Sequence, residues 1–495
     1  MQRTTHPPRS TRLLLAALVA VLAIAGASPA SAGAKKGPHH GQLTTINEVI
    51  GATELHDQGI TGSGVQVAVI DTGFAPVPAL SAPGKVVAMY DLSFDADDPT
   101  RTLFDHYGHG THMAGIIAGN DPATGFTGVA PDAELVSFKV GDNTGAVDVT
   151  QVIAALDFIV ANNGNDGLDI DVINISYGVN STNSHLISPL TQAVQRAWDA
   201  GIVVVAATGN DGKPTRGMTF PARDPFVIAV GAANIKDYPD EVRVAGFSTG
   251  GDADRKVDVI APGKNVVSLR VPGSAADLSS PGARVGDDYF KGSGSSQAAA
   301  VVTGAIALLL EDRPDLTPDQ VKKLLRTTAT EAKGSQRIAG KGMIDVAAAA
   351  AHKTPGNNAI QTHQRSDGSG GVHADRGEDI VTFDGVAIEG EVNWAGASWT
   401  GASWTGASWT GASWTGASWT GASWTGASWT GASWTGASWT GASWTGASWT
   451  GASWTGASWT GASWTGASWT GASWTGASWT GASWTGASWT GSSWT

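Results

Sequence analysis

Asp71, His109 and Ser296, in that order along a chain of 495 residues, are the three residue types of a nucleophilic triad. Ser296 lies in Gly292-Ser293-Gly294-Ser295-Ser296-Gln297-Ala298-Ala299-Ala300, and an apolar run of helical length continues to Leu310. Backbone N–H groups at a helix N-terminus are unpaired and that end carries partial positive charge, so a serine there sits where developing negative charge is favoured. Its small neighbours leave room for a substrate carbonyl to reach the hydroxyl. The plainer alternative is a Gly/Ser loop entering a buried helix.

His109 stands between two glycines in His106-Tyr107-Gly108-His109-Gly110-Thr111-His112-Met113-Ala114-Gly115. Three histidines so close could suggest a metal, but the HExxH arrangement is absent and the chain has no cysteine, so a catalytic base at a helix start fits better. Asp71 follows the apolar run Val67-Ala68-Val69-Ile70, which puts a carboxylate at the C-terminal end of a strand, where open α/β sheets place their sites. Asp71-Thr72-Gly73 by itself is equally a turn capped by aspartate.

The elements that must position these residues alternate. β-Branched runs predict strands over 65–70, 86–90, 134–140, 171–176, 203–206, 226–230 and 257–260. Helical patterns cover 149–161 and 189–200, and a helix over 318–329 begins with Thr317 as N-cap and Pro318 at its first position. Strands alternating with helices predict a parallel α/β sheet with right-handed crossovers.

Asp71-Thr72-Gly73 after its strand, His109-Gly110-Thr111-His112-Met113-Ala114-Gly115 and Gly294-Ser295-Ser296 resemble, in order, the three signature blocks of the subtilisin-like (subtilase) serine peptidases. The resemblance covers roughly residues 46–350 and implies a subtilisin-like three-layer α/β domain with a mostly parallel central sheet. It also implies that Ser296 attacks a peptide carbonyl, that His109 takes and returns the proton, and that Asp71 orients the imidazole. Ala206-Ala207-Thr208-Gly209-Asn210 looks like the family's oxyanion-hole segment, with Asn210 as side-chain donor; a turn residue in Gly-Asn-Asp-Gly is the structural alternative. Ser176-Tyr177-Gly178 resembles the edge on which a peptide substrate adds as a strand, and with Ala207, Thr208 and Gly209 would line the pocket for the residue before the scissile bond.

The family's usual Gly-Thr-Ser-Met-Ala-x-Pro is here Gly294-Ser295-Ser296-Gln297-Ala298-Ala299-Ala300. Serine replaces threonine and adds a second hydroxyl, glutamine replaces methionine, and alanine replaces the proline near the helix start. Many secreted members carry a substantial pro-segment, for which only about a dozen residues are available here.

Charge and composition narrow the partners. A net charge of -13 argues against nucleic acid, which wants a basic face. No cofactor is required by the expected chemistry. Structural calcium is compatible with the acidic balance and with the loop Asp91 to Asp98, although that loop lacks EF-hand spacing. Arg3, Arg9 and Arg12, the apolar run 13–25 and Ala30-Ser31-Ala32 form a secretory signal peptide, so the expected protein is secreted, with no membrane span after signal removal. The expected organisation is a signal peptide over 1–32, a short leader over 33–45, the peptidase domain over 46–350, a polar linker over 351–393 and Trp-rich repeats over 394–495.

From Gly396 the unit Gly-Ala-Ser-Trp-Thr recurs almost unchanged. A glycine every fifth residue disfavours an α-helix, and a straight strand would send successive tryptophans to opposite faces because five is odd. Read as Ala-Ser-Trp-Thr-Gly, the unit is similar to the pentapeptide-repeat pattern, which leaves a β-solenoid and a disordered low-complexity tract as the two readings. Exposed tryptophans would stack on carbohydrate or cell-envelope components, and a surface-attachment protein with a weak or silent protease domain is the competing reading to a secreted endopeptidase acting on protein or peptide substrates.

Overall fold

The computed structural model describes residues 41–394 apart from 166, 213–216, 384 and 392, and the Ser-Trp-Thr cores of the repeats beyond. The expected signal peptide over 1–32 and most of the expected leader over 33–45 lie outside the described residues. Among the described residues, no helix is long and apolar enough to cross a membrane.

The central element is an eight-stranded sheet. In chain order its main strands are β1 (Gln66–Asp71), β2 (Val86–Asp91), β3 (Glu134–Lys139), β4 (Ile170–Ile175), β5 (Val203–Ala207), β6 (Ile228–Asn234) and β7 (Val259–Pro262). They lie in the spatial order β7-β6-β5-β4-β1-β3-β2, all parallel, and a short antiparallel segment, Arg243–Val244, pairs with β6. The mostly parallel α/β sheet expected from the alternating pattern is therefore present. Every residue of β1 and β5 is buried, which explains why they read as unbroken apolar runs rather than as alternation.

Two strands start two residues later than expected: β7 spans Val259–Pro262 rather than 257–260, and β6 spans Ile228–Asn234 rather than 226–230. The Phe226 N–H is taken by the Asp224 carboxylate at 2.8 Å, and the Val227 carbonyl accepts from Lys322 and Arg255. Side-chain partners thus replace the ladder at the expected start of β6.

Four long helices serve the sheet: α1 (His109–Ala118), α2 (Val149–Asn162), α3 (Pro189–Asp199) and α4 (Ser295–Asp312), followed by α5 (Pro318–Thr328). α5 opens with the capping box anticipated at Thr317, whose side chain accepts from the Gln320 N–H. α4 is buried from Ser295 to Leu310, so over that length it has no solvent-facing polar side, and its few polar side chains, Ser295, Ser296, Gln297 and Thr303, lie within the protein.

The chain forms two compact units: Met1–Val147, Ala154–Gly178 and Val194–His363 in the first, and Asp148–Ile153, Val179–Ala193 and Gln364–Thr495 in the second. The first contains the sheet. In the second, residues 364–391, expected as part of a linker, carry a fully buried carboxylate, Asp375, and a nearly fully buried guanidinium, Arg376. Beyond them, three-residue strands recur every unit from Ser403–Thr405 to Ser493–Trp494. Each pairs in parallel with the strand four units on, Trp404 with Trp424 and Trp424 with Trp444, giving four separate sheets. Trp449 is 3 % exposed.

Candidate active site

The first unit gathers the expected residues at the C-terminal ends of its strands. Asp71 is the last residue of β1, Ser176 follows β4, and Thr208 to Asn210 follow β5. The sequence order changes direction around β1, so these ends flank a switch point of the sheet.

His109 opens α1, and its Nδ1 bonds the Asp71 carboxylate at 2.8 Å to one oxygen and 3.0 Å to the other. Close approach makes this possible. A β-carbon on Gly110 would stand 2.3 Å from the Gly73 carbonyl oxygen, so only glycine lets the helix start reach the Asp-Thr-Gly turn. The Thr72 N–H donates to Asp71 Oδ1 at 2.8 Å, which fixes the carboxylate from behind.

A second buried carboxylate braces this pair. Asp105 accepts from the Thr72 hydroxyl at 2.8 Å, the Gly108 N–H at 2.6 Å, and the Thr111 N–H and hydroxyl at 2.8 and 2.7 Å. The Thr72 hydroxyl in turn accepts from the Gly110 N–H at 2.8 Å. Asp105 thereby ties the turn holding Asp71 to the helix start holding His109. Burial raises the Asp105 pKa despite these donors. Sequence reading missed Asp105 and Thr72 as parts of the site, although an aspartate four residues before the candidate base was the visible signal.

Burial works against a charged His109, but the Asp71 charge and hydrogen bond, with the Asp105 charge beyond, override it, and the His109 pKa is raised above the ordinary 6.5. The three histidines do not form a metal cluster. His106 is in the preceding loop with its Nε2 near the Thr100 carbonyl, and its ring is tilted against Phe104. His112 is buried and neither ring nitrogen has a hydrogen-bond partner. Burial, then the charge of His109, push its pKa down to about 3, outweighing the nearby Leu269 backbone and Asp71.

That depression makes a stability prediction. The unfolded chain, with this histidine near 6.5, takes up a proton that the folded chain refuses, so stability is lost as pH falls from 6.5 towards 3. In urea titrations, His112→Leu should flatten part of the decline in unfolding midpoint between pH 7 and pH 4; an unchanged decline would remove His112 from the account.

Ser296 is the second residue of α4 and is 8 % exposed. Its Oγ donates to the Ser176 carbonyl at 3.4 Å, and it has no hydrogen bond to His109 among the described residues. Ser176 is itself placed from below: buried Asn174 of β4 donates to its hydroxyl at 3.0 Å and accepts from Thr303 of α4 at 3.0 Å. The helix therefore starts at a fixed height above the sheet. It does so without a proline, and α4 runs unbroken through Ala300.

The second hydroxyl, Ser295, is engaged elsewhere. It is fully buried, accepts from the Gly209 N–H at 3.1 Å and donates to Asn210 Oδ1 at 3.2 Å. Asn210 Oδ1 also accepts from the Ser295 N–H at 2.8 Å, capping an otherwise orphan donor of the helix. With its carbonyl side committed to Ser295, exposed Asn210 has its amide group turned to the other side. Thr208 and Ala207 are buried and Gly209 half-buried, while Tyr177 is half-buried and Gly178 exposed.

The acidic loop after β2 has a cation of its own. Lys139 at the end of β3, 1 % exposed, lies 3.0 Å from Asp95 and 3.8 Å from Asp91, and donates to the Arg101 carbonyl. A loop whose inward carboxylates already face an ammonium group does not fit calcium, and among the described residues no group of three or more His, Cys, Asp or Glu is placed to hold a metal ion.

A model of the Subtilase family matches residues 62–342. Serine protease AprX of Bacillus subtilis (strain 168) is 36 % identical over 316 residues, 61 % of this chain and 70 % of that protein. A subtilisin of Bacillus pumilus is 38 % identical over 304 residues, 61 % of this chain and 96 % of that protein. Among solved structures, fervidolysin from Fervidobacterium pennivorans, a keratinolytic enzyme related to subtilisin, matches with a TM-score of 0.52 at 29 % identity, over 64 % of this chain and 47 % of that one. The chain thus spans about half the length of that structure.

Proposed function

The chain belongs to the subtilase family of serine peptidases, and from that premise we propose that it is a secreted endopeptidase in which Ser296, His109 and Asp71 form the triad and Asn210 the side-chain arm of the oxyanion hole. The observation that carries this reading is the hydrogen bond His109 Nδ1 donates to the Asp71 carboxylate, at 2.8 and 3.0 Å to its two oxygens. It fixes the tautomer with the lone pair on the far nitrogen, the form able to accept a proton from a serine. Attack of Ser296 Oγ on the peptide carbonyl forms a tetrahedral oxyanion as His109 takes the hydroxyl proton. Collapse expels the amine, which receives that proton, and leaves an acyl-enzyme; water then repeats the sequence to release the acid.

The oxyanion would meet the Asn210 amide and the backbone N–H of Ser296 at the start of α4. Preorganisation is the advantage: Asn210 is held by Ser295 before substrate arrives, so little reorientation is needed. Asn210→Ala should lower kcat by about 10²–10³, the magnitude known for subtilisin's equivalent donor, with KM little changed. Steady-state kinetics on a peptide anilide check this; a loss confined to KM would assign Asn210 to substrate binding.

Substrates are proteins or peptides by family. Ser176 to Gly178 and Ala207 to Gly209 are the segments we assign to the substrate edge and the pocket before the scissile bond. The repeat tail we read as a four-sided β-solenoid, supported by the in-register pairing of units four apart. A fluorophosphonate probe tests the central assignment. Covalent labelling of the folded protein that disappears in Ser296→Ala supports it, and labelling that persists in that variant overturns it.

A further inference from the structure

We infer that Thr219 is the specificity-determining residue of the pocket before the scissile bond, and that it restricts this position of the substrate to small side chains such as alanine and serine. The inference rests on the endopeptidase reading above and names the substrate class for the same site.

The two walls are the segments already assigned to that pocket. Ser176-Tyr177-Gly178 follows β4, and Ala207-Thr208-Gly209 runs off the end of β5, its neighbour in the sheet. A peptide that adds as a strand along the first segment sends successive side chains to opposite faces, and the one before the scissile bond enters between the walls. Both walls end in glycine. How long a side chain fits therefore depends on what already lies between them.

One threonine side chain lies there. A β-carbon on Gly178 would stand 2.3 Å from Thr219 Oγ1 and 3.5 Å from its Cγ2, and a β-carbon on Gly209 would stand 3.3 Å from the same Cγ2. A single methyl group is thus within contact range of both walls. Thr219 forms the floor of the gap.

The floor cannot withdraw. The Thr219 N–H donates to the Thr208 carbonyl at 3.2 Å and the Thr219 carbonyl accepts from the Arg223 N–H at 3.1 Å, which ties its backbone to the second wall. Its chain neighbours Met218 and Phe220 are buried. A β-branched side chain is stiff at χ1, so rotation does not clear the gap either. The second wall is braced in turn by Thr249, whose N–H donates to the Gly209 carbonyl at 3.0 Å and whose Oγ1 accepts from the Asp211 N–H at 2.9 Å.

The chemistry of the floor narrows the class further. Thr219 is 6 % exposed and its hydroxyl has no hydrogen-bond partner among the described residues, and the same holds for Thr208 Oγ1 in the fully buried part of the wall. Buried hydroxyls ordinarily find partners. A serine side chain entering the gap brings a donor and an acceptor within one short arm, and alanine fits beneath the methyl without strain. Phenylalanine or leucine would overlap the Thr219 methyl and seal both hydroxyls away unpaired.

The test offers the full-length protein two tetrapeptide anilides that differ only before the scissile bond, Ala-Ala-Pro-Ala and Ala-Ala-Pro-Phe. The wild type should show kcat/KM about tenfold or more higher on the alanine substrate. Thr219→Gly removes the floor, so kcat/KM on the phenylalanine substrate should rise by about tenfold. Thr219→Ser keeps the hydroxyl and removes the methyl; it should shift the preference in the same direction, and it stands in if the first variant fails to fold. A purely structural Thr219 would lower both substrates together. That result, a wild-type preference for phenylalanine, or an unchanged ratio in a folded variant overturns the assignment. Fluorophosphonate labelling separates the two levels: labelled wild type that prefers phenylalanine overturns the pocket alone, and wild type that neither labels nor cleaves either anilide sinks the endopeptidase reading and the pocket with it.

Discussion

Ser296→Ala should yield a folded protein that still binds peptide and has lost catalysis. The substitution removes one long hydrogen bond, 3.4 Å to the Ser176 carbonyl, from a helix that is buried from Ser295 to Leu310, so little stability is at stake. The chemical loss is far larger. Without Oγ there is no acyl-enzyme, and kcat should fall on the order of 10⁶, the size known for subtilisin when its nucleophile is removed. Ser295 will not rescue it. Its hydroxyl is fully buried between Gly209 and Asn210, and turning it towards substrate would dismantle the proposed oxyanion arm. Anilide hydrolysis measured beside thermal unfolding separates the two effects. A variant that cleaves at the wild-type rate would refute the assignment outright.

Asp71→Asn is expected to cost about 10⁴ in kcat with the backbone undisturbed, because an amide can present its N–H to His109 and stabilise the wrong tautomer. It also removes the charge that raises the His109 pKa. Burial then acts with less opposition, and the ionisation seen in kcat/KM should move to lower pH. In the parent enzyme the acid limb of the profile should lie above 6.5, since His109 must be neutral to accept the serine proton. The stability sign is the opposite one. The Asp71–His109 ion pair contributes fully below 6.5 and is lost as pH rises through the raised folded value, so the variant's stability deficit should shrink in alkali. A pH–rate profile with an unmoved acid limb would show that Asp71 does not govern His109.

The strands were legible in the sequence because β1, β3, β4 and β5 are almost entirely buried, which enriches them in β-branched and other apolar residues on both faces. The residues proposed as the triad stand out in the sequence because each sits in a small-residue block at a strand end or helix start. What escaped was the polar second layer. Asp105, Thr72 and Lys139 act through partners 33 to 44 residues away, Thr72 with Asp105 and Lys139 with Asp95, and such pairing has no local pattern. Asp375 and Arg376 escaped for the same reason, set in a polar, Gly-rich stretch whose composition reads as a connector. Burial of adjacent charges is a tertiary fact.

The repeats show the opposite relation between sequence and structure. Each Ser-Trp-Thr strand pairs with a copy of itself four units away, so each unit's neighbours are like itself. Stability in such an array is a sum of equal local terms. Inserting or deleting whole units therefore re-forms the same pairs, Trp against Trp four units apart. Tail length is thus a quantity set in steps of five residues, independent of any one unit's pairing geometry.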